Sequence, residues 1–152
     1  MAKDAPGAFI DDYLAYLLAR ASHLISAEFH VIVRRARLPV QQWRVLATLA
    51  DGQALSIGEV AAIVLIPQST LTRVAERMVR SGLLLRAADA ADRRITRIRL
   101  SAKGLKLAAR LVPQARAHEA AVVDALGEAD AATLKRILRR LIEQHAGGGN
   151  VA

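Results

Sequence analysis

Ile57 to Arg99 reads IGEVAAIVLIPQSTLTRVAERMVRSGLLLRAADAADRRITRIR, and this stretch decides the fold. Ser56 stands three residues before Glu59, the spacing of a capping box. It starts a short helix over Ile57 to Val64 with Ile57, Val60, Ala61 and Val64 facing inward. A turn at Leu65-Ile66-Pro67 follows, with Pro67 where a helix tolerates proline, in its first turn. The next helix runs to Arg80 and buries Leu71, Val74, Ala75 and Met78. That stripe turns Gln68, Ser69, Thr70, Thr72, Arg73 and Arg77 outward. Ser81-Gly82 is an ordinary helix stop. Leu83 to Arg86 reads as a short strand and Ala87 to Asp92 as a loop. Ile95 to Leu100 alternates, with Thr96, Ile98 and Leu100 on one face and Ile95, Arg97 and Arg99 on the other. Two helices about a tight turn, then a hairpin with a basic tip at Asp92-Arg93-Arg94, is the order of a winged helix-turn-helix. Such a module offers one helix to the major groove of DNA and one hairpin to the minor groove beside it.

Charge points to the same partner. The chain of 152 residues has a net charge of +8. Residues 67–106 hold ten basic side chains (Arg73, Arg77, Arg80, Arg86, Arg93, Arg94, Arg97, Arg99, Lys103 and Lys106) against three acids, Glu76, Asp89 and Asp92. Nearly all of the excess therefore lies in one contiguous segment, the footprint of a polyanion-binding surface. Single-stranded nucleic acid and RNA loops are read on aromatic platforms, and no Phe, Trp or Tyr lies beyond Gln53. Double-stranded DNA is the expected partner.

The flanking sequence is helical. From Phe9 the apolar residues Phe9, Tyr13, Leu17, Leu24 and Val31 recur near helical spacing, widened by Leu14, Leu18, Ala21 and Ile25, until Pro39 stops the pattern near Leu38. A second helix spans about Val40 to Ala50, with Trp43, Leu46, Ala47 and Ala50 inward. After the hairpin, Ser101 caps a helix to about Leu126, with Pro113 a place for a bend. Gly127 breaks it, and a last helix runs from about Ala129 to His145. Met1 to Ala8 reads as a frayed start and Gly147-Gly148-Gly149 as the beginning of a flexible tail. The terminal helices carry more apolar surface than one small winged module can cover, which marks an interface. The expected architecture is mainly α with a small β-hairpin wing. A winged helix-turn-helix DNA-binding lobe (39–100) joins a helical dimerisation lobe (9–38 and 101–145), in a homodimer.

Other classes fall away. Cysteine is absent, which excludes disulfides, thiol switches and a cysteine nucleophile. There is no phosphate loop, no Gly-x-Ser-x-Gly and no metal-ligand run, so neither catalysis nor a cofactor is expected. His23 and His30 stand seven apart on one helix and supply too few ligands for a metal. No window approaches the ~18 apolar residues of a membrane span, and no cleavable signal pattern is present. The expected location is the cytoplasm, with no membrane partner.

The ordered run Trp43-Arg44-Val45-Leu46, Pro67-Gln68-Ser69-Thr70-Leu71-Thr72-Arg73, Ser81-Gly82-Leu83-Leu84, Asp92-Arg93-Arg94 and Leu100-Ser101-Ala102-Lys103-Gly104 resembles the multiple-antibiotic-resistance regulator (MarR) family, over about Phe9 to His145. Two positions depart from the usual pattern. The turn has Leu65-Ile66-Pro67 where the family often carries Gly, and Ser101 stands where Thr is commoner. The resemblance implies a homodimeric regulator, most often a repressor of adjacent genes, that leaves a pseudo-palindromic operator when a small, often aromatic or phenolic, effector binds. It also implies that Arg94 enters the minor groove while Asp92 holds its guanidinium in line, and that an effector pocket lies between the dimerisation helices and the winged lobe.

The residues suggest finer roles. Ser69, Thr70 and Thr72 are short enough for a close approach to bases or phosphates, and Gln68 suits adenine or a phosphate. Arg73 and Arg77, four apart on one face, divide between guanine and phosphate. Arg93, Arg97 and Arg99 fit phosphates. The candidate effector residues are Tyr16, Arg20, His23, His30 and Trp43, where Arg20 and His23 would meet a carboxylate or phenol and Trp43 would form an apolar wall or belong to the core. An architectural protein that binds double-stranded DNA without sequence preference is the alternative that this charge pattern leaves open.

Overall fold

A computed structural model describes residues 8–146. The expected frayed start (all but Ala8) and the glycine tail lie outside the described residues. The chain divides into two compact units, one through Gln114 and one from Ala115 onward.

In the first unit a 3-10 turn, Phe9–Asp12, precedes α1 (Leu14–Arg35). The single helix expected from Phe9 is interrupted because Tyr13 is extended, with φ −78° and ψ 112°. At the far end of α1, Arg37 adopts a left-handed φ of 56°. The amides of Arg37 and Leu38 then return to the carbonyls of Arg34 and Val33, which closes the helix before Pro39. α2 (Val40–Thr48) buries Trp43, Val45 and Leu46. Ala47, expected inward, is exposed. The helix stops at Thr48, and Leu49 completes the buried stripe instead. Trp43 packs against Phe29 of α1, ring centroids 5.1 Å apart.

α3 (Ile57–Val64) starts in the expected capping box: the Ser56 hydroxyl accepts from the Glu59 amide, and the Glu59 carboxylate accepts from the Ser56 amide. It ends at Leu65, whose left-handed φ of 58° does the work the family often gives to glycine. The chain turns by 109° between α3 and α4 (Gln68–Arg80). Pro67 lies just before α4, one position earlier than expected. Leu71, Val74, Ala75 and Met78 are buried as the spacing requires. Gly82, φ 75°, ends α4 while the amides of Gly82 and Leu83 bond Val79 and Met78.

The hairpin consists of β2 (Leu84–Ala88) and β3 (Thr96–Leu100). A third strand, β1 (Leu55–Ser56), makes the sheet three-stranded and antiparallel in the order β1-β3-β2. Leu55 pairs with Ile98, and Leu84 with Leu100. On β3, Ile98 and Leu100 are buried whereas Thr96, toward the wing tip, is exposed. α5 runs as one helix, Ala102–Leu126, with Pro113 inside it. Its start is clasped to the turn between α4 and β2: the Ser101 hydroxyl donates to the Gly82 carbonyl and accepts from the Gly104 amide.

In the second unit the end of α5 and α6 (Glu128–Ala146) meet at Gly127, φ 90°. Lys135 pairs with Glu119, and Ala131 is buried. Leu126, Leu134 and Ile142 are exposed. In α1 the exposed apolar residues include Leu14, Leu17, Leu24, Ile25 and Val31. No single helix among the described residues is long and apolar enough to cross a membrane.

Candidate nucleic-acid interface

α4 presents its polar face as its buried stripe dictates. Gln68, Ser69, Arg73 and Arg77 are exposed, and Thr70 and Thr72 half-buried. No side chain caps the α4 N-terminus, and no acid lies in its first turn. The orphan amides and the positive end of the helix dipole therefore meet any anion that approaches. Thr72 is partly committed, since its hydroxyl donates to the Gln68 carbonyl at 2.9 Å. An open groove of about 400 Å³ separates α4 from the wing, with Gly58, Gln68 and Thr72 on one side and Arg94, Ile95 and Thr96 on the other.

The wing tip is a tightly hydrogen-bonded loop. The Asp89 amide donates to the Ile95 carbonyl, and the Ile95 amide to the Asp92 carbonyl, each at 3.0 Å. Asp92 acts mainly on the backbone: its Oδ1 accepts from the Arg94 amide at 2.9 Å, while Arg94 Nε stands 3.9 Å away. The Arg94 side chain is 95% exposed, and Arg93 is exposed beside it.

Asp89 of this loop and Arg97 of β3 carry more than their sequence positions suggest. Asp89, which the charge count marks only as an acid, is buried. Its Oδ1 accepts from the amides of Ala91 and Asp92, at 2.8 and 3.1 Å, and its Oδ2 pairs with Arg97 Nε. The Arg97 hydrogen bond, reinforced by those two amides, lowers the Asp89 carboxyl to about 2. The same pairing raises Arg97 above its ordinary value. Arg97, expected at a phosphate, is turned inward: its Nη1 donates to the Ala54 carbonyl at 3.1 Å and lies 3.5 Å from the Glu59 carboxylate. The Ser56 amide and hydroxyl, more than Arg97, hold Glu59 below the usual carboxylate range. An aspartate two and three residues before the amides it caps is a readable turn signal. The pairing of Asp89 with a residue eight positions away, across the hairpin, is not.

The candidate effector residues Tyr16, Arg20, His23 and His30 all lie on α1. Tyr16, His23 and His30 recur at intervals of seven, and the Arg20 guanidinium lies 6.0 Å from the Tyr16 ring centre. His30 is half-buried. Burial lowers its pKa, helped by Arg44, Arg34 and His23 in that order, which favours the neutral ring. Trp43 belongs to the core against Phe29, 8% exposed. Among the described residues no group of three or more His, Asp or Glu is placed to hold a metal ion.

Known proteins carry this arrangement. The MarR family model matches residues 38–95, from the start of α2 to the wing tip. A crystal structure of a MarR family transcriptional regulator from Silicibacter pomeroyi superposes with a TM-score of 0.81 at 44% identity, covering 90% of this chain and 97% of that one. The chain belongs to the MarR family of transcriptional regulators. Other MarR-like relatives include the transcriptional repressor IacR of Pseudomonas putida, 29% identical over 128 residues, 84% of this chain and 77% of that protein. Bordetella bronchiseptica BpsR, whose DNA binding is regulated by 6-hydroxynicotinic acid, is 29% identical over 90% of this chain and 97% of that one, with a TM-score of 0.75. The first two are transcriptional regulators by name.

Proposed function

We propose that this MarR-family chain is a cytoplasmic homodimeric repressor that reads a pseudo-palindromic operator and is released by a small aromatic effector. The observation that carries this reading is the joint presentation, on one compact unit, of the uncapped α4 start and the 95% exposed Arg94. Gln68, Ser69, Thr70, Thr72, Arg73 and Arg77 read or hold the major-groove side. Arg94 enters the minor groove, where a planar cation suits the narrow, negative A·T geometry. Arg93 meets phosphate, and Asp92 sets the backbone from which Arg94 projects.

The exposed apolar residues of α1 and α6 support a dimerisation lobe formed by 9–38 and 101–145, with 39–100 as the reading lobe. A two-fold axis then sets the recognition helices about 34–36 Å apart, one turn of B-DNA. Regulation of BpsR by 6-hydroxynicotinic acid supports an aromatic, acidic or phenolic effector here, with Arg20, His23 and His30 as polar partners beside Tyr16. Such an effector lowers DNA affinity only by favouring a dimer state that fits the operator less well.

The test pairs the wild-type chain with Arg94→Ala on a duplex enriched by the wild type from genomic fragments. Arg94→Ala should weaken binding by about tenfold or more, the equivalent of one good charged contact, with an unchanged circular dichroism spectrum. Addition of hydroxylated aromatic acids should release the wild type. Equal affinity of the two chains, or no release by any member of a broad panel of such acids, would count against the respective half of the proposal.

A further inference from the structure

Asp89 is one of only three acids in the basic segment 67–106. It is buried at the base of the wing tip, and both carboxylate oxygens are committed. One holds the amides of Ala91 and Asp92, and the other pairs with Arg97. Arg97 in turn reaches the Ala54 carbonyl beside β1 and the Glu59 carboxylate, which is also the capping-box acid of α3. An unbroken chain of polar contacts therefore runs from the start of the helix-turn-helix, through Glu59 and Arg97, to Asp89 and the loop that carries Asp92 and Arg94. Among the described residues no other side chain of the tip makes such a connection: Arg94 itself is exposed, and its amide bonds within the loop. A hairpin tip fixed at one end by strand pairing alone would sample many directions, and each would cost entropy on insertion into a groove.

We infer that Asp89 and Arg97 are positioning residues for DNA recognition, a brace that locks the wing-tip loop to the helix-turn-helix so that Arg94 is aimed before DNA arrives. This rests on the proposed reading of Arg94 as the minor-groove residue. It assigns to Arg97 a role opposite to that of an ordinary surface cation: the side chain serves DNA binding by facing away from DNA.

The discriminating variant is Asp89→Asn. Asparagine keeps an Oδ1 for the Ala91 and Asp92 amides but turns an N–H toward Arg97, so it cuts the brace and little else. Plain electrostatics expects the loss of one negative charge beside DNA to leave binding unchanged or tighten it. The brace expects binding to weaken, by about tenfold, a tenth of the association constant corresponding to 1.4 kcal/mol. Affinities are measured by fluorescence anisotropy on the duplex that the wild type enriches from a random-sequence pool, for Asp89→Asn, Arg97→Met and each of these combined with Arg94→Ala. Because the brace acts through Arg94, its loss should cost less than about twofold in the Arg94→Ala background. Unchanged or tighter binding by Asp89→Asn overturns the inference. So does an equal loss with and without Arg94, which would mean that the brace residues act on their own. Should Arg97→Met fail to fold, Asp89→Asn alone decides, in both backgrounds. If the wild type enriches no duplex, the reading of Arg94 fails with it. If it enriches one and Arg94→Ala weakens binding, that reading stands whatever the brace variants do.

Discussion

Asp89 and Arg97 divide the wing's charges into those exposed at the tip, Arg93 and Arg94, and those that hold the loop. A carboxylate that accepts two amides and a guanidinium is strongly favoured in its charged form. The sign follows: a carboxyl depressed to about 2 contributes stability that is complete above the ordinary aspartate value, near 3.9. That contribution is lost as pH falls from there through about 2. The wing tip should therefore stay ordered through the whole physiological range. Carboxyl NMR of the wild type should give an Asp89 midpoint near 2, and Arg97→Met should move it toward the ordinary value, because the Arg97 bond is the largest cause of the shift. An ordinary midpoint in the wild type would contradict the brace geometry. Asp92 and Arg94 were legible in the sequence as an acid and a base at the tip of a hairpin. Their geometry was not: Asp92 grips the backbone of Arg94 more closely than its guanidinium, a distinction that spacing cannot encode.

Among the elements, the helix-turn-helix was legible almost residue for residue. A capping box, a strongly one-sided stripe in α4 and a Ser-Gly stop are local signals, and α3 falls on its expected bounds. β1 was not, since two residues carry no alternation and Leu55–Ser56 becomes a strand only by pairing with β3. The break at Tyr13 was hidden for a related reason, because Phe9 and Tyr13 keep helical spacing in sequence and their rings stack 5.0 Å apart although Tyr13 itself is extended. Two backbone positions yield predictions. Leu65 holds a left-handed φ of 58° at 85% exposure, so glycine there relieves strain without losing burial. Leu65→Gly should stabilise the fold by about 0.5–1 kcal/mol, the left-handed cost of about 1–2 kcal/mol less the added chain entropy of glycine. A fall in the urea midpoint would contradict this. Gly104 has the opposite character. A Cβ there would lie 2.2 Å from the Leu83 carbonyl oxygen and 3.2 Å from Leu100 Cδ2, where α5 is clasped to the turn before β2. Gly104→Ala should destabilise by about 1–3 kcal/mol, as overpacking against backbone does. An unchanged urea midpoint would show that the clasp has room to yield.

For the whole molecule, the proposed reading joins two features, the exposed apolar residues of the terminal helices and the basic segment 67–106. On that reading the first would bring two chains together, and the second would make each chain a ligand for phosphate. Neither alone yields sequence specificity, which needs two reading heads at a fixed separation. A small effector would act on that separation, because the α1 candidates Tyr16, Arg20, His23 and His30 are far along the chain from α4. The sequence foresaw the family and the general plan through its ordered motifs. It did not tell which apolar residues of α1 face their own core, since Phe29 and Val33 are buried while Leu24 and Val31 on the same helix are exposed.

The most direct measurement is selection of bound duplexes from a random-sequence pool by the purified full chain at physiological salt. The expected result is an inverted repeat whose half-site centres lie about one helical turn, 10–10.5 base pairs, apart, with A·T-rich steps where the wings reach the minor groove. Enrichment of no symmetric sequence would contradict a two-headed operator reader and leave a protein that binds double-stranded DNA through charge alone.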